Sequence, residues 1–168
     1  MNENPHRKIN RLKDYDYAQN GVYFVTICTK EKRWILGEIT SNVTGADAPG
    51  CPLVTLSAIG QCVDNTINHI DLIYNDISVL KYVVMPNHIH LVVLYIEPEG
   101  NESGRPRPPL QNLIGNLKSY TSKQAGEGIW QKSFHDHVIR NEAEYLNIWE
   151  YIDTNPLKWV DDEYYSIE

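Results

Sequence analysis

Two histidines separated by one residue are the first groups in this sequence that could do chemistry. His88 and His90 lie in an apolar run, residues 88–96, whose composition is typical of a β-strand. Because successive strand side chains point to opposite faces, both imidazoles would project to the same side, roughly 7 Å apart along the backbone. The pair could bind one cation, or it could consist of half-buried histidines that bond to neighbouring groups.

A second pair with the same spacing, His135 and His137, flanks Asp136. Spacing alone does not separate the two pairs. The aromatic residues Trp130 and Phe134 precede the second pair, and this setting favours two structural histidines that form hydrogen bonds near the edge of a strand.

A terminal helix is predicted from about residue 142 to 155. Asn141 is a good N-cap, Glu144 stands three residues further on as a capping-box partner, and Pro156 opposes continuation. The apolar stripe of this helix consists of Tyr145, Ile148, Trp149 and Ile152.

Tyr151 and Asn155 lie four residues apart on the flank of that helix, roughly 70 to 110° from the centre of the stripe. A hydroxyl and an amide therefore share an edge that need not be buried. The two side chains could form a functional site, or they could be an ordinary boundary tyrosine and a C-terminal asparagine before proline.

The elements that would position these groups alternate in a recognisable order. Strands are predicted at 21–29, 79–85, 88–96 and 134–139, and further helices at 55–73 and from 110 to about 126. The close spacing of the second and third strands favours a hairpin. The order predicts an α+β, ferredoxin-like (RRM-like) fold, in which an antiparallel sheet carries helices on one face and an additional C-terminal helix.

The charge of the chain is unevenly distributed. The net charge of -7 argues, taken alone, against a protein that grips nucleic acid mainly by neutralising phosphates. However, residues 1–13 and residues 101–140 each carry a net charge of +3, whereas the last 28 residues carry -7. The acidity is largely a property of the C-terminal segment, so a nucleic-acid partner is not excluded.

Length and composition predict a single domain over residues 1–168, with a basic N-terminal segment (1–20) and solvated loops at 41–52 and 97–109, the second flexible. The three cysteines have no CxxC spacing, which indicates neither a disulfide framework nor a zinc knuckle. We find no apolar run of the ~18 residues that a membrane span needs and no signal peptide, so we expect a cytoplasmic protein.

The combination of motifs resembles the single-tyrosine HUH transposases, and within them the REP-associated tyrosine transposases. The resemblance extends from about Arg11 to Trp159, with the motifs in the family's order. The motifs are YVVMPNHIHLVV (82–93), LKS (117–119), WQKSFHDHVIRNE (130–142) and YIDTNP (151–156).

The resemblance implies a transposase that cleaves single-stranded DNA at a hairpin or palindromic repeat. His88, His90 and Asn155 would bind Mg²⁺ or Mn²⁺, and Tyr151 would attack the scissile phosphate to form a 5′-phosphotyrosine and a free 3′-OH. The reverse attack would rejoin strands. Tyr120 is the alternative nucleophile.

Other expectations stay open at this point. Basic residues could contact DNA phosphates or be ordinary solvated side chains; they are Arg7, Lys8, Arg11, Lys13, Lys118 and Lys123. At position 155 the related insertion-sequence transposases have Gln, and the Asn of this chain matches the REP-associated group instead. Resemblance to the REP-associated group suggests a monomer, whereas the insertion-sequence relatives are homodimers. Two other classes are a non-catalytic nucleic-acid-binding module of the same fold and an H-x-H metal-dependent hydrolase.

Overall fold

The structure, a computed structural model, describes residues 16–40, 53–96 and 107–165. In chain order the elements are β1 (Gly21–Cys28), β2 (Gly37–Thr40), β3 (Leu53–Leu56), α1 (Ala58–Asn68), α2 (Ile70–Ile73), β4 (Ile77–Val84), β5 (His88–Tyr95), α3 (Leu110–Ala125), β6 (His135–Ile139) and α4 (Glu142–Thr154). The predicted loop at 41–52 and most of the loop at 97–109 lie outside the described residues.

Four strands form one antiparallel sheet in the order β4-β5-β1-β6. This order, with α1 between β1 and β4 and α3 between β5 and β6, is that of a ferredoxin-like α+β fold, and the predicted fold class is confirmed. The sequence of β1 is almost continuously apolar, and β1 lies inside the sheet, between β5 and β6. The predicted hairpin of β4 and β5 is also confirmed.

The two faces of the sheet carry different helices. On one face, alternate strand residues such as Tyr23, Ile89 and Leu91 pack with α1 and α3 in the larger core. On the other face, Val92 of β5 packs with Ile152 of α4 in a smaller cluster. The predicted additional C-terminal helix therefore covers the face that the first two long helices leave open.

Local interactions fix where α4 begins and how it lies on the sheet. The side chain of Asn141 accepts a hydrogen bond from the backbone N–H of Glu144 at 2.9 Å, as predicted for the N-cap. In a capping box the Glu144 carboxylate would accept a hydrogen bond from the backbone N–H of Asn141. Here it accepts instead from the backbone N–H of Arg140, at 2.8 Å. Near the other end, Lys81 of β4 pairs with Asp153 and lies over the ring of Trp149.

The helix predicted at 55–73 is too long at its start. Leu53–Leu56 is instead the strand β3, which pairs with β2 in a second, two-stranded sheet that the sequence did not predict. The helix begins after Ser57, whose side chain caps the N–H of Gly60 at 3.0 Å. A side chain at position 60 would overlap the carbonyl of Leu36, so this close approach requires glycine.

None of the helices within the described ranges is long and apolar enough to cross a membrane.

Candidate active site

β5 presents the first histidine pair to the face that α4 covers. His88 and His90 alternate with Ile89 and Leu91, which point into the larger core, so both imidazoles share the opposite face. Their Nε2 atoms are 3.0 Å apart. Both side chains are buried, with exposed fractions of 0% and 1%.

The other nitrogen of each ring also has a polar partner. Nδ1 of His90 lies 2.8 Å from the hydroxyl of Thr26, which faces it across the β1–β5 ladder. Nδ1 of His88 lies 2.8 Å from Oδ1 of Asn87. These contacts fix the planes of both rings and direct the two Nε2 atoms toward one point, as the outer partners of metal-binding histidines do.

Burial keeps both histidines neutral. It lowers the pKa of His88 to about 4, although the carboxylate of Asp162 and the amide of Asn155 favour its charged form. It also lowers the pKa of His90, and the neighbouring His88 acts in the same direction. Neutral imidazoles have a lone pair available for a cation at neutral pH.

α4 brings Tyr151 directly to this pair. Its hydroxyl lies 3.3 Å from Nε2 of His90. The ring of Phe24 stacks on His90, with centroids 5.3 Å apart, and meets the Tyr151 ring edge-on at 6.2 Å. Burial, followed by the charge of Asp162, raises the pKa of Tyr151, so the phenol is protonated at neutral pH.

Asn155 lies one turn after Tyr151 and caps the end of α4. Its side chain is buried, and its Nδ2 donates to Oδ2 of Asp162 at 2.5 Å. Its Oδ1 is buried and forms no well-aligned hydrogen bond with a described residue, although it lies close enough to His88 to favour the charged imidazole. A buried amide oxygen without a donor is costly in a folded protein, and a cation would satisfy it.

Asp162 is the site residue that the sequence did not single out. One of its carboxylate oxygens, together with one nitrogen from each of His88 and His90, forms a group whose members all lie within 4.8 Å of one another. The backbone N–H of Tyr164 donates to its Oδ1 at 2.6 Å. In the sequence, Asp162 is marked only by its place in the acidic run 161–163. No helix or strand periodicity relates it to the histidines, because it reaches the sheet through the turn that follows Pro156.

These donors suit a divalent cation that prefers nitrogen and oxygen ligands. Two neutral imidazoles and a carboxylate lie close together, and the side chain of Asn155 bonds to that carboxylate. Adjacent ligands of an octahedral ion held at about 2.1 Å are roughly 3.0 Å apart, and the two Nε2 atoms have this separation. The residues present therefore fit such an ion.

The segment after α4 covers the histidines but leaves access beside the tyrosine. The ring of Tyr164 lies 4.7 Å from that of His88, and the ring of Trp159 lies 5.9 Å from it. A cavity of about 400 Å³ remains next to them, lined among others by Tyr151 and Lys158. A phosphate could approach Tyr151 through this cavity.

Comparisons with known proteins yield relatives with one recurring name. A REP-associated tyrosine transposase of Escherichia coli is 33% identical over 81 residues, which are 47% of this chain and 45% of that protein. A Haemophilus influenzae protein provisionally named as a REP-associated tyrosine transposase is 23% identical over 159 residues, 85% of this chain and 74% of that protein. The chain is thus similar in sequence to REP-associated tyrosine transposases.

A solved structure of a REP-associated tyrosine transposase bound to a REP hairpin has the same fold. It matches with a TM-score of 0.61 at 20% identity, over 89% of this chain and 73% of that one. No protein-family model matches the chain.

Tyr120, the alternative nucleophile for a tyrosine transposase, lies far from the histidine pair in the fold. It is 54% exposed on α3, on the face opposite α4. It lines a groove between α1 and α3 with residues such as Asn65 and Asn116. The structure thus brings Tyr151 to the candidate site and leaves Tyr120 outside it.

The second histidine pair lies on β6, the edge strand of the sheet. Nε2 of His137 lies 2.5 Å from a carboxylate oxygen of Glu144. Within the described ranges, the one group of three or more His, Cys, Asp or Glu close enough to hold an ion is the group around His88, and it does not include His135 or His137. His137 thus forms a hydrogen bond on an edge strand, as the aromatic residues before it in the sequence suggested.

Two of the basic residues considered as DNA contacts, Lys118 and Lys123, lie within the described ranges, both on α3. The amine of Lys118 donates to the backbone carbonyls of Gln131 at 2.6 Å and Lys132 at 3.1 Å. Lys123 is exposed in the last turn of α3. Arg7, Lys8, Arg11 and Lys13 lie outside the described residues.

Proposed function

We propose that this chain is a metal-dependent single-tyrosine transposase that cleaves and rejoins single-stranded DNA at hairpin or palindromic ends. The observation that carries the proposal is the 3.3 Å approach of the Tyr151 hydroxyl to His90, beside the cluster formed by His88, His90 and Asp162. A phenol next to cation ligands is the arrangement that phosphoryl transfer to tyrosine requires.

In the proposed reaction the phenolic oxygen of Tyr151 attacks the phosphorus of the scissile phosphodiester. The new O–P bond forms as the bond to the 3′ oxygen breaks, and the tyrosine proton passes to water in the adjoining cavity. The product is a 5′-phosphotyrosine and a free 3′-OH. Because the bond energy is kept, attack by a 3′-OH on this linkage rejoins strands without nucleotide hydrolysis.

His88, His90, Asp162 and the amide oxygen of Asn155 would hold Mg²⁺ or Mn²⁺. When bound, the cation would stabilise the charge that develops on the phosphate and on the leaving 3′ oxygen. Asp162 would also act on the nucleophile, because its negative charge raises the pKa of Tyr151 and helps to keep the phenol protonated. Neutralising this carboxylate would make the phenol more acidic, hence easier to deprotonate during attack.

The geometry supports a catalytic unit made from one chain. Tyr151 lies against His90 of the same molecule, and α4 packs on its own sheet through Ile152 and Val92. We therefore propose that a monomer contains a complete site. Size-exclusion chromatography with light scattering, carried out at the concentration used for cleavage, tests this point.

Cleavage of a labelled hairpin tests the function. A single-stranded hairpin labelled at its 3′ end is incubated with the protein and Mn²⁺, and denatured products are separated by electrophoresis. We expect a labelled protein–DNA adduct that disappears in Tyr151→Phe and in His88→Ala. Tyr120→Phe is the matched control and should form the adduct normally.

Each other outcome contradicts part of the proposal. An adduct that is lost in Tyr120→Phe and kept in Tyr151→Phe would reassign the nucleophile. Hairpin binding without an adduct or cleavage would indicate a non-catalytic module. Cleavage without an adduct would indicate an H-x-H metal-dependent hydrolase.

A further inference from the structure

A cleft of about 690 Å³ lies between α4 and the edge strand β6, on the face of the sheet that carries the candidate active site. Phe24 of β1 forms its floor, since it pairs with His137 in the β1–β6 ladder and packs on the α4 side of the sheet. At one end His137 bonds to Glu144, and at the other end stands Tyr151. The cleft therefore follows α4 for about two turns, roughly 10 Å, and ends at the proposed nucleophile.

This cleft adjoins the cavity beside the histidines. Tyr151 and Phe24 line both spaces, so the two lie on either side of the tyrosine. Three polar residues of α4 share one edge at intervals of four: Asn147 lines the cleft, Tyr151 lines both spaces, and Asn155 lines the cavity. A DNA strand whose phosphate reaches Tyr151 through the cavity would thus bring a neighbouring nucleotide to the cleft.

The lining of the cleft suits a flat, uncharged group better than a phosphate. Among the described residues, no lysine or arginine lines it, and Glu144 contributes a carboxylate. Its surface is apolar at Phe24 and at Ile148. A half-buried aromatic ring on a sheet is a surface on which a nucleobase can stack, as bases do on the sheets of RNA-recognition domains.

Asn147 is the group in this cleft that could distinguish one base from another. His137 and Glu144 bond to each other, and the side chain of Asn141 caps α4. By contrast, the side chain of Asn147 is exposed and forms no hydrogen bond with a described residue. Its amide presents a donor and an acceptor side by side, the arrangement that matches adenine at N6 and N7.

The direction of attack indicates which nucleotide enters the cleft. In an in-line displacement the leaving 3′ oxygen stands opposite the attacking oxygen of Tyr151, so the nucleotide that carries it extends away from the tyrosine. The nucleotide that keeps the phosphate is attached at the side of the phosphorus. It can therefore pass the ring of Tyr151 and enter the cleft.

We propose that the cleft between α4 and β6 binds the nucleobase on the 3′ side of the scissile phosphate, which stacks on Phe24 and is read by the amide of Asn147. Asn147 is thus a specificity-determining residue for the nucleotide that becomes joined to Tyr151. The inference rests on the proposed function in that single-stranded DNA is the substrate, but binding of a base in the cleft does not require that the strand be cleaved.

Binding of short oligonucleotides of dA, dT or dC tests the proposal. The Tyr151→Phe protein, which cannot form the adduct, is titrated into each labelled oligonucleotide at saturating Mn²⁺, and fluorescence anisotropy gives the Kd. We expect dA to bind more tightly than dT and dC. Adding Asn147→Ala should reduce this preference about 5-fold or more. The corresponding change at an exposed asparagine of α3, Asn116→Ala, should leave it intact.

Phe24→Leu separates stacking from base reading. Leucine is apolar but has no ring, so all three oligonucleotides should bind about 5-fold or more weakly, with the preference for dA retained. Phe24 also stacks on His90, and saturating Mn²⁺ prevents a change in ion affinity from altering the result. Unchanged binding in Phe24→Leu, or an unchanged preference in Asn147→Ala, would overturn the proposal.

The hairpin assay distinguishes failure of this inference from failure of the proposed function. The expected oligonucleotide preference without any hairpin adduct would contradict the proposed function and leave the inference standing. Adduct formation together with equal binding of the three oligonucleotides would contradict only the inference. A DNA-free protein that changes from dimer to monomer in Asn147→Ala would assign the cleft to a second copy of this chain and overturn the proposal.

Discussion

The hydroxyl of Tyr151 lies 3.3 Å from Nε2 of His90, although the two residues are 61 positions apart in the chain. The tyrosine comes from α4 and the histidine from β5, so the site exists only because α4 packs on the face of the sheet that carries the histidines. Residues that hold α4 in place or complete the ligand set should therefore influence the proposed reaction in different, separable ways.

Asp162→Asn should weaken divalent-cation binding. The substitution removes the negative charge from the donor group and exchanges one carboxylate oxygen for an amide nitrogen, so we expect the Kd for Mn²⁺ to rise at least about 10-fold. Asp161→Asn changes an exposed neighbour outside the group and is the control. Titration followed by electron paramagnetic resonance measures the free ion; equal affinities of the two variants would remove Asp162 from the ligand set.

Folding stability without metal should decrease in acid because of the buried histidines. A histidine whose pKa is lowered on folding binds its proton more readily in the unfolded chain, so acid favours unfolding. For His88 this effect extends from its usual pKa of about 6.5 down to about 4, with a slope of at most about 1.4 kcal/mol per pH unit.

Urea unfolding at pH 7, 6 and 5 measures that dependence. A His88→Gln variant should show a shallower decrease between pH 6.5 and 5 than the unsubstituted chain. The control is His69→Gln, at an exposed histidine on the other side of the molecule, which should retain the slope. Parallel curves for the unsubstituted chain and His88→Gln would contradict a neutral, buried His88.

Lys81→Met should displace α4 without touching the ligands. The amine of Lys81 pairs with Asp153 and lies 4.6 Å from the ring centre of Trp149, so its loss should lower the free energy of unfolding by about 1 kcal/mol. We expect slower adduct formation at unchanged Mn²⁺ affinity. Lys132→Met, at an exposed lysine, should alter neither; loss of metal affinity in Lys81→Met would point to a wider rearrangement.

Lys118→Met should reveal whether this lysine serves the fold or the DNA. Because its amine donates to two backbone carbonyls, we expect a loss of about 1 to 3 kcal/mol in unfolding free energy. The slope of log Kd for the hairpin against log salt should stay the same. A slope reduced by roughly 0.7 to 0.9 would instead identify a phosphate contact.

Much of the fold could be predicted because its signals are local. The apolar run of β1, the Asn141 cap and the close spacing of β4 and β5 each act within a few residues. The β2–β3 sheet was missed because its strands have four residues each and are separated by residues 41–52, whose composition indicates only a loop. The apolar spacing places Ser57 inside a helix, whereas its side chain caps the start of one.

The site was predicted only as far as its residues follow a local pattern or a family motif. His88 and His90 alternate in one strand, and Tyr151 and Asn155 share one helix edge. Asp162 has no such pattern, since it reaches the histidines only through the turn after α4 and the buried Trp159. Its position depends on tertiary packing, which no short spacing encodes.

The acidic lining of the cavity beside Tyr151 has a kinetic consequence. Asp161, Asp162 and Glu163 line it together with a single lysine, Lys158. A DNA phosphate that enters before the cation meets net negative charge, whereas one that follows the cation meets a site in which that charge is offset. The C-terminal acidity would thus impose a compulsory order of assembly, with the ion first and the nucleic acid second.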